Sequence, residues 1–208
     1  MLPVSLIFTS GVASGVNSYL AVLVLGLIGR FGHVAAIPAV LERPPVLAAA
    51  AVLYAGQFVA GKVPVLDSVW DVVHTPLRPV VGGAIGAVIA QQAHVSPAAA
   101  IAGAALGGGS ALVSHVVKTG TRVGVNASPE PFSNIIASLL EDLGVAGLVS
   151  FAVFHPLAAA VIAAVALAAG LALLALLASR IRRGWQRRRE ARQRRRSSDG
   201  QTLPLPQG

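Results

Sequence analysis

Apolar residues run along this chain in long blocks, broken by short polar or proline-marked segments. Six blocks, at roughly 5–29, 46–64, 79–94, 97–117, 134–154 and 157–179, approach the ~20 apolar residues that a membrane-crossing helix needs. The third is short, which suits a tilted, partly buried or re-entrant helix. The sixth, P-L-A-A-A-V-I-A-A-V-A-L-A-A-G-L-A-L-L-A-L-L-A, carries no polar side chain. His33, His94 and His155 recur at intervals of 61 residues, each followed by a proline (Pro38, Pro97, Pro156). The returning blocks end at Lys62, Lys118 and Arg180. This pattern reads as three helical hairpins of similar length, although equal hairpins produce such spacing without any ancestral repeat. The expected fold is all-α: a polytopic membrane domain of about six spans over residues 1–179, then a basic, mostly disordered cytoplasmic tail over 180–208.

Composition strengthens the membrane reading. Charged residues make up 12% of the chain and hydrophobic ones 55%, against about 25% charged in a soluble domain. There is no cysteine, which excludes disulfides, thiolate metal sites and thiol catalysis. The N-terminus M-L-P-V-S-L-I-F-T-S-G lacks a basic region and reads as the start of a first span.

The net charge of +8 is local. Ten of the 16 basic residues lie between Arg180 and Arg196, leaving six basic and six acidic side chains in residues 1–179. Basic residues accumulate on the cytoplasmic side of membrane helices, so the run R-I-R-R-G-W-Q-R-R-R-E-A-R-Q-R-R-R places the C-terminus there. Six spans then place the N-terminus there too. Arg30 and Arg43, in the first outer loop, are the exception. The tail is expected to attract anionic lipid headgroups at about 1 kcal/mol per basic residue. No nucleic-acid-reading fold accompanies it, so the bilayer is the expected partner, with a second copy of the chain as an alternative.

Polar residues inside the apolar blocks carry the candidate chemistry. Ser110, Ser114, Lys118 and Arg122 recur every fourth residue and share one helix face, with His115 beside it. On the next span Asn134, Ser138 and Glu141 also share a face, and Asp142 is turned from it by about 100°. Carboxylates at membrane depth cost about 2.5–3.5 kcal/mol each and require pairing, hydration or protonation; Lys118 and Arg122 are the available partners. Either a structural ion pair or an ion pathway follows. Between them, K-T-G-T-R-V-G-V-N-A-S-P-E-P-F-S-N (118–134) reads as a connector whose Ser128-Pro129-Glu130 turn starts a helix. Gly107-Gly108-Gly109 weakens its helix and predicts a break. Other glycines (Gly11 and Gly15, Gly82 and Gly86, Gly103 and Gly107) suit close helix packing.

In the segment 62–78, Asp67, Asp71, His74 and Arg78 fall on one helical face, with Lys62 before them and Trp70 among valines. This predicts a short interfacial helix anchored by Trp70. Two carboxylates and a histidine are few ligands for a hard cation, so no metal is expected. Ser14, Asn17 and Ser18 in the first span are read as helix-to-helix hydrogen-bonding groups that could line the same cavity.

The segments G-V-A-S-G-V-N-S-Y-L-A-V-L-V-L-G-L-I-G-R-F-G (11–32), V-L-D-S-V-W-D-V-V-H-T-P-L-R-P (65–79), S-H-V-V-K-T-G-T-R-V-G-V-N-A-S-P-E-P-F-S-N (114–134) and L-E-D (140–142) resemble an uncharacterised bacterial membrane family, domain of unknown function 4126. The resemblance covers roughly residues 8–180. It implies a multi-pass protein of a bacterial inner membrane and supplies no activity. In that family acidic residues stand where this chain has Gln57 and Gly61, which removes a carboxylate partner for Lys62. A looser similarity to trimeric intracellular cation channels rests on a glycine-rich helix followed by a basic segment; the helix counts differ. The leading expectation is a channel or transporter for a small ion or solute, using Lys118, Arg122, Glu141 and Asp142. The alternative is a non-transporting scaffold or assembly factor with a cytoplasmic docking face. His74 and His115 have no nucleophile companion, so no enzyme and no cofactor are expected.

Overall fold

A computed structural model describes residues 2–62, 64–93, 96–126 and 131–201. The described residues form seven α-helices: α1 (Leu2–Gly32), α2 (Pro44–Ala60), α3 (Pro64–His74), α4 (Leu77–Gln92), α5 (Pro97–Asn126), α6 (Pro131–Phe154) and α7 (Pro156–Gln201). His94 and the Ser128–Glu130 turn lie outside them. Five of these helices begin on a proline, whose fixed φ suits the first turn and whose missing N–H is not needed there.

By length and composition alone, five helical stretches qualify as membrane spans (Pro3–Gly32, Val72–Gln92, Pro97–Arg122, Ile135–Phe154 and Pro156–Arg180), and Pro44–Ala60 is shorter. The protein is therefore a multi-pass α-helical membrane protein. The expected short helix after the second block exists as α3. It leaves Leu66, Val69, Val72 and Val73 exposed and stacks Trp70 on His74 at 4.3 Å.

The first helix departs from the expected span. A straight 31-residue helix would be about 46 Å long. Yet Pro3 and Leu6, from its start, line one cavity with Ala35 and Ala36, which follow its end. Gln92 and Ala93 line the same cavity, as do Phe154 and Pro156. The helix folds back at Asn17, where φ is −148° and ψ is 95°. Residues 2–16 and 18–32 thus form two half-helices with Asn17 at their tip, and the polypeptide starts at the end that also holds 33–43. Six straight spans would put those segments at opposite ends. Hydropathy gave no warning, because two apolar half-helices and one apolar span have the same pattern.

This folded α1 is the centre of the first of two compact units, Met1–Gly170. In its most apolar stretch 67% of residues are buried, against 11% for α7. Leu6, Ile7, Leu25, Ile85, Ile89, Val149 and Ala152 form the core around it. The second unit, Leu171–Gly208, continues α7. Its basic run is helical as far as Gln201, where a mostly disordered tail is expected from the sequence. Arg, Gln, Glu and Ala are good helix formers, and a helix already nucleated by the apolar span extends at little cost.

The break expected at Gly107–Gly109 is absent, and α5 runs through it. Helix packing explains the glycines instead. A Cβ on Gly107 would strike the carbonyl of Gly82, and one on Gly108 would lie 2.9 Å from the carbonyl oxygen of Pro79. Gly109 has nothing within 4 Å. Without a hydrophobic drive between helices in lipid, such close backbone approach supplies the association.

Two predictions follow from this arrangement. Gly107→Ala destabilises the detergent-solubilised protein by about 1–3 kcal/mol through overpacking, while Gly109→Ala is neutral or slightly stabilising; thermal unfolding curves compare them. Single cysteines placed at Val4 and His33 in this cysteine-free chain label with a membrane-impermeant maleimide from the same side of the membrane. Labelling from opposite sides would restore a straight first span.

Candidate functional site

Breaking a helix inside a membrane exposes backbone groups that have no intrahelical partner and no water. Groups on both sides of the break at Asn17 find partners. On the C-terminal side, Asn17 is an N-cap: its Oδ1 accepts from Leu20 N at 3.0 Å, the geometry for which asparagine is favoured. On the N-terminal side the loose carbonyls meet cations. Arg78 Nη1 donates to Gly15 O at 3.0 Å and also to Val16 O. Lys118 Nζ donates to Val16 O at 3.1 Å, and Ser18 Oγ donates to Ser14 O at 2.7 Å. Cations suit this position, the negative end of a helix dipole.

The polar stripe on α5 follows the first half of α1 in register. Ser110 Oγ donates to Phe8 O at 3.4 Å and Ser114 Oγ to Val12 O at 2.8 Å, so that with Lys118 and Val16 each pair is separated by 102 residues. Every fourth donor on one helix meets every fourth carbonyl on the other. Gly11 and Gly15 allow this approach, since a Cβ on either would collide with α5. Where α1 breaks off, the next residue of the stripe, Arg122, turns to α6. It holds Glu141 with two bonds, Nε to Oε1 at 2.8 Å and Nη2 to Oε2 at 3.0 Å, the strong bidentate form. Lys118 Nζ lies 3.4 Å from Glu141 Oε2.

Asp142 does not join this pair, although the sequence suggests the same two cations for both carboxylates. It lies on another side of α6, where Oδ1 accepts from Asn17 Nδ2 at 2.9 Å and Oδ2 accepts from Tyr54 OH at 3.5 Å. Asn17 is therefore used twice, once to cap α1 and once to join α6. From Asp142 to the end of α6 at Phe154 is about 18 Å of helix, so the cluster lies well inside the bundle.

Other expected residues divide. Arg78 was grouped with Asp67, Asp71 and His74 on an interfacial face; it lies instead in the first turn of α4, 2% exposed, with its guanidinium on the carbonyls of Gly15 and Val16. His74 Nδ1 meets Trp70 O at 2.8 Å. The side chains of Asp67, Asp71 and Asn134 lie outside the described ones. Lys62 stands over the Phe58 ring at 3.5 Å and 3.5 Å from Ser138 Oγ, so an aromatic face and a hydroxyl occupy the ammonium. His115 is buried, with Nε2 at 3.0 Å from Thr75 Oγ1. No group of three metal-ligating side chains occurs among the described residues.

A cavity of about 390 Å³ reaches this junction from between α1, α5, α6 and α7. Ser114, Lys118, Thr121 and Glu141 are its polar lining residues; the rest, including Val145, Leu148 and Ile162, are apolar or glycine. Glu141 keeps 24% of its side chain exposed, against 5% for Lys118 and 4% for Arg122.

A multi-pass helical membrane protein with a folded-back first helix, its break closed by buried cations and carboxylates, is the class that fold and site define. The chain belongs to the family described as domain of unknown function DUF4126, whose pattern matches residues 4–176. No curated protein and no solved structure matches it.

The junction predicts a graded response. Asn17→Ser keeps a cap but loses the bond to Asp142, and costs less than Asn17→Ala, which loses both; the alanine variant is expected to lose about 1–2 kcal/mol from the cap alone. Arg78→Met leaves the carbonyls of Gly15 and Val16 short of donors and costs more, about 2–4 kcal/mol. Unfolding of the three variants in detergent gives the order.

Proposed function

We propose that this protein is a channel or transporter for a small ion or solute, with the junction of α1, α5 and α6 as its pathway. The observation that carries this reading is the discontinuous helix: two half-helix ends meet at membrane depth beside Arg78, Lys118, Arg122, Glu141 and Asp142. Membrane proteins that move ions build sites from such ends, and intramembrane ionisable groups are costly to keep for packing alone. In this reading the end that holds Lys62, Lys118 and Arg122 faces the cytoplasm by the distribution of basic residues, in a bacterial inner membrane. The first residues, at the other end of the bundle, are then outside. The basic run of α7 attracts anionic lipid headgroups, and the protein catalyses no reaction.

One observation favours the alternative of a non-transporting scaffold. Arg122 already satisfies Glu141 in bidentate fashion, as expected of a closed pair that locks two helices. Flux separates the two. Reconstituted into liposomes, the protein is expected to raise ion, proton or small-solute flux above empty vesicles, and Glu141→Gln with Asp142→Asn to lower it at least tenfold. Flux equal to empty liposomes across a range of ions, solutes and pH values would favour the scaffold.

A further inference from the structure

In an unbroken α1 the carbonyls of Ser14, Gly15 and Val16 would accept from the N–H groups of residues 18–20. The break at Asn17 ends that ladder, and each carbonyl meets a donor from elsewhere. Ser14 O accepts from Ser18 Oγ at 2.7 Å. Gly15 O and Val16 O both accept from one atom, Arg78 Nη1, and Lys118 Nζ shares Val16 O at 3.1 Å. Two carbonyl oxygens that converge on a single cationic nitrogen, at the negative end of a helix, are the elements of a cation site. In membrane proteins that move ions, the C-terminal ends of half-helices hold a bound Na⁺ or H⁺ in such a place.

Here a side chain from another helix stands in it. Arg78 belongs to the first turn of α4 and is among the largest fully buried side chains of the protein. Its backbone is fixed to the same turn of α1, since Ser14 Oγ donates to Arg78 O at 3.3 Å. Both ends of Arg78 thus hold residues 14–16. Gly15 has no side chain to intrude, and a Cβ on it would strike the carbonyl of Ala111, so α5 closes the other side. The chemistry suits an N–H donor better than a bare metal ion. A hard cation takes about six or more oxygen ligands, whereas a guanidinium uses a planar set of N–H groups, each satisfied by one or two acceptors.

We propose that the end of the first half of α1 is a guanidinium-type cation site, which the chain occupies with its own Arg78 in place of a bound inorganic ion. Occupancy from within the chain needs no free cation, so the broken helix is held equally well whichever alkali cation is in solution. With the side chain removed, the same carbonyls take up free guanidinium. For the transport reading this means that a coupling cation is not bound at this end of the break. Only that consequence rests on the transport reading, and the test uses no flux, so either can fail alone.

The test follows thermal unfolding of the full chain in detergent. The wild-type midpoint is expected to be the same in sodium, potassium and choline chloride at equal ionic strength, and not to rise with guanidinium. Arg78→Ala is expected to unfold at a lower temperature in all three salts. Guanidinium chloride is expected to restore it saturably, by about 3 °C or more at about 20 mM for a Kd of about 1 mM. Urea, of similar shape but uncharged, is expected to restore nothing at the same concentration. Arg78→Lys, which keeps a tethered cation near the carbonyls, is expected to respond to guanidinium less than Arg78→Ala. Should Arg78→Ala fail to fold in sodium chloride, purification with guanidinium present is expected to recover a folded, monodisperse protein. A wild-type midpoint that rises saturably with sodium or potassium overturns the proposal. So does recovery of Arg78→Ala by urea or an alkali cation as well as by guanidinium, or an Arg78→Ala protein that guanidinium neither stabilises nor recovers.

Discussion

The bonds from Arg78 and Lys118 to the carbonyls of Gly15 and Val16 are the constraint from which the rest of the bundle can be derived. A helix that stops inside a bilayer leaves carbonyls that cost several kcal/mol each if unpaired. Neutral donors could satisfy them, but this chain uses cations, which also complement the helix dipole. Buried cations then create a demand of their own. Glu141 answers it for Lys118 and Arg122, and this fixes the rotation of α6 against α5. Asp142 is carried along on the next residue and reaches the other side of the break through Asn17. Fold and charge cluster are thus one solution to one problem.

Close packing makes that solution reachable. A serine side chain is short, so Ser110 and Ser114 bond to α1 carbonyls only if the two backbones nearly touch. Gly11 and Gly15 on α1 and Gly107 on α5 remove the side chains that would hold them apart. The same small residues therefore serve dispersion contacts and hydrogen bonds at once. A stripe of serines without the glycines would find no carbonyl in range.

Much of this was legible in the sequence, and the misses have physical causes. The helical class, the α5 stripe and the pairing of Lys118 and Arg122 with Glu141 follow from fourfold spacing and the cost of buried charge. The folded-back first helix does not, since hydropathy averages over a break that a single residue makes. Asn17 was the available signal: an N-cap residue in the middle of an apolar block, just after Gly15. The glycine triplet misled because helix propensity in isolation says nothing about a neighbouring helix at Gly82 and Gly83. Arg78 misled because a face counted along its own segment says nothing of the loose carbonyls of Gly15 and Val16 that draw it into the bundle.

The division of labour between Glu141 and Asp142 follows from helix geometry and has consequences for motion. Adjacent residues on a helix point about 100° apart, so one rotation of α6 moves both carboxylates together. Turning Glu141 away from Arg122 also strains or breaks the Asp142 bond to Asn17, and with it a support of the half-helix tip. The reverse holds as well: a shift of the tip acts on Glu141 through one peptide unit. Interfaces of packed side chains have discrete arrangements instead of a continuum, so a coupled pair of bonds on one rigid helix is suited to switching between two states.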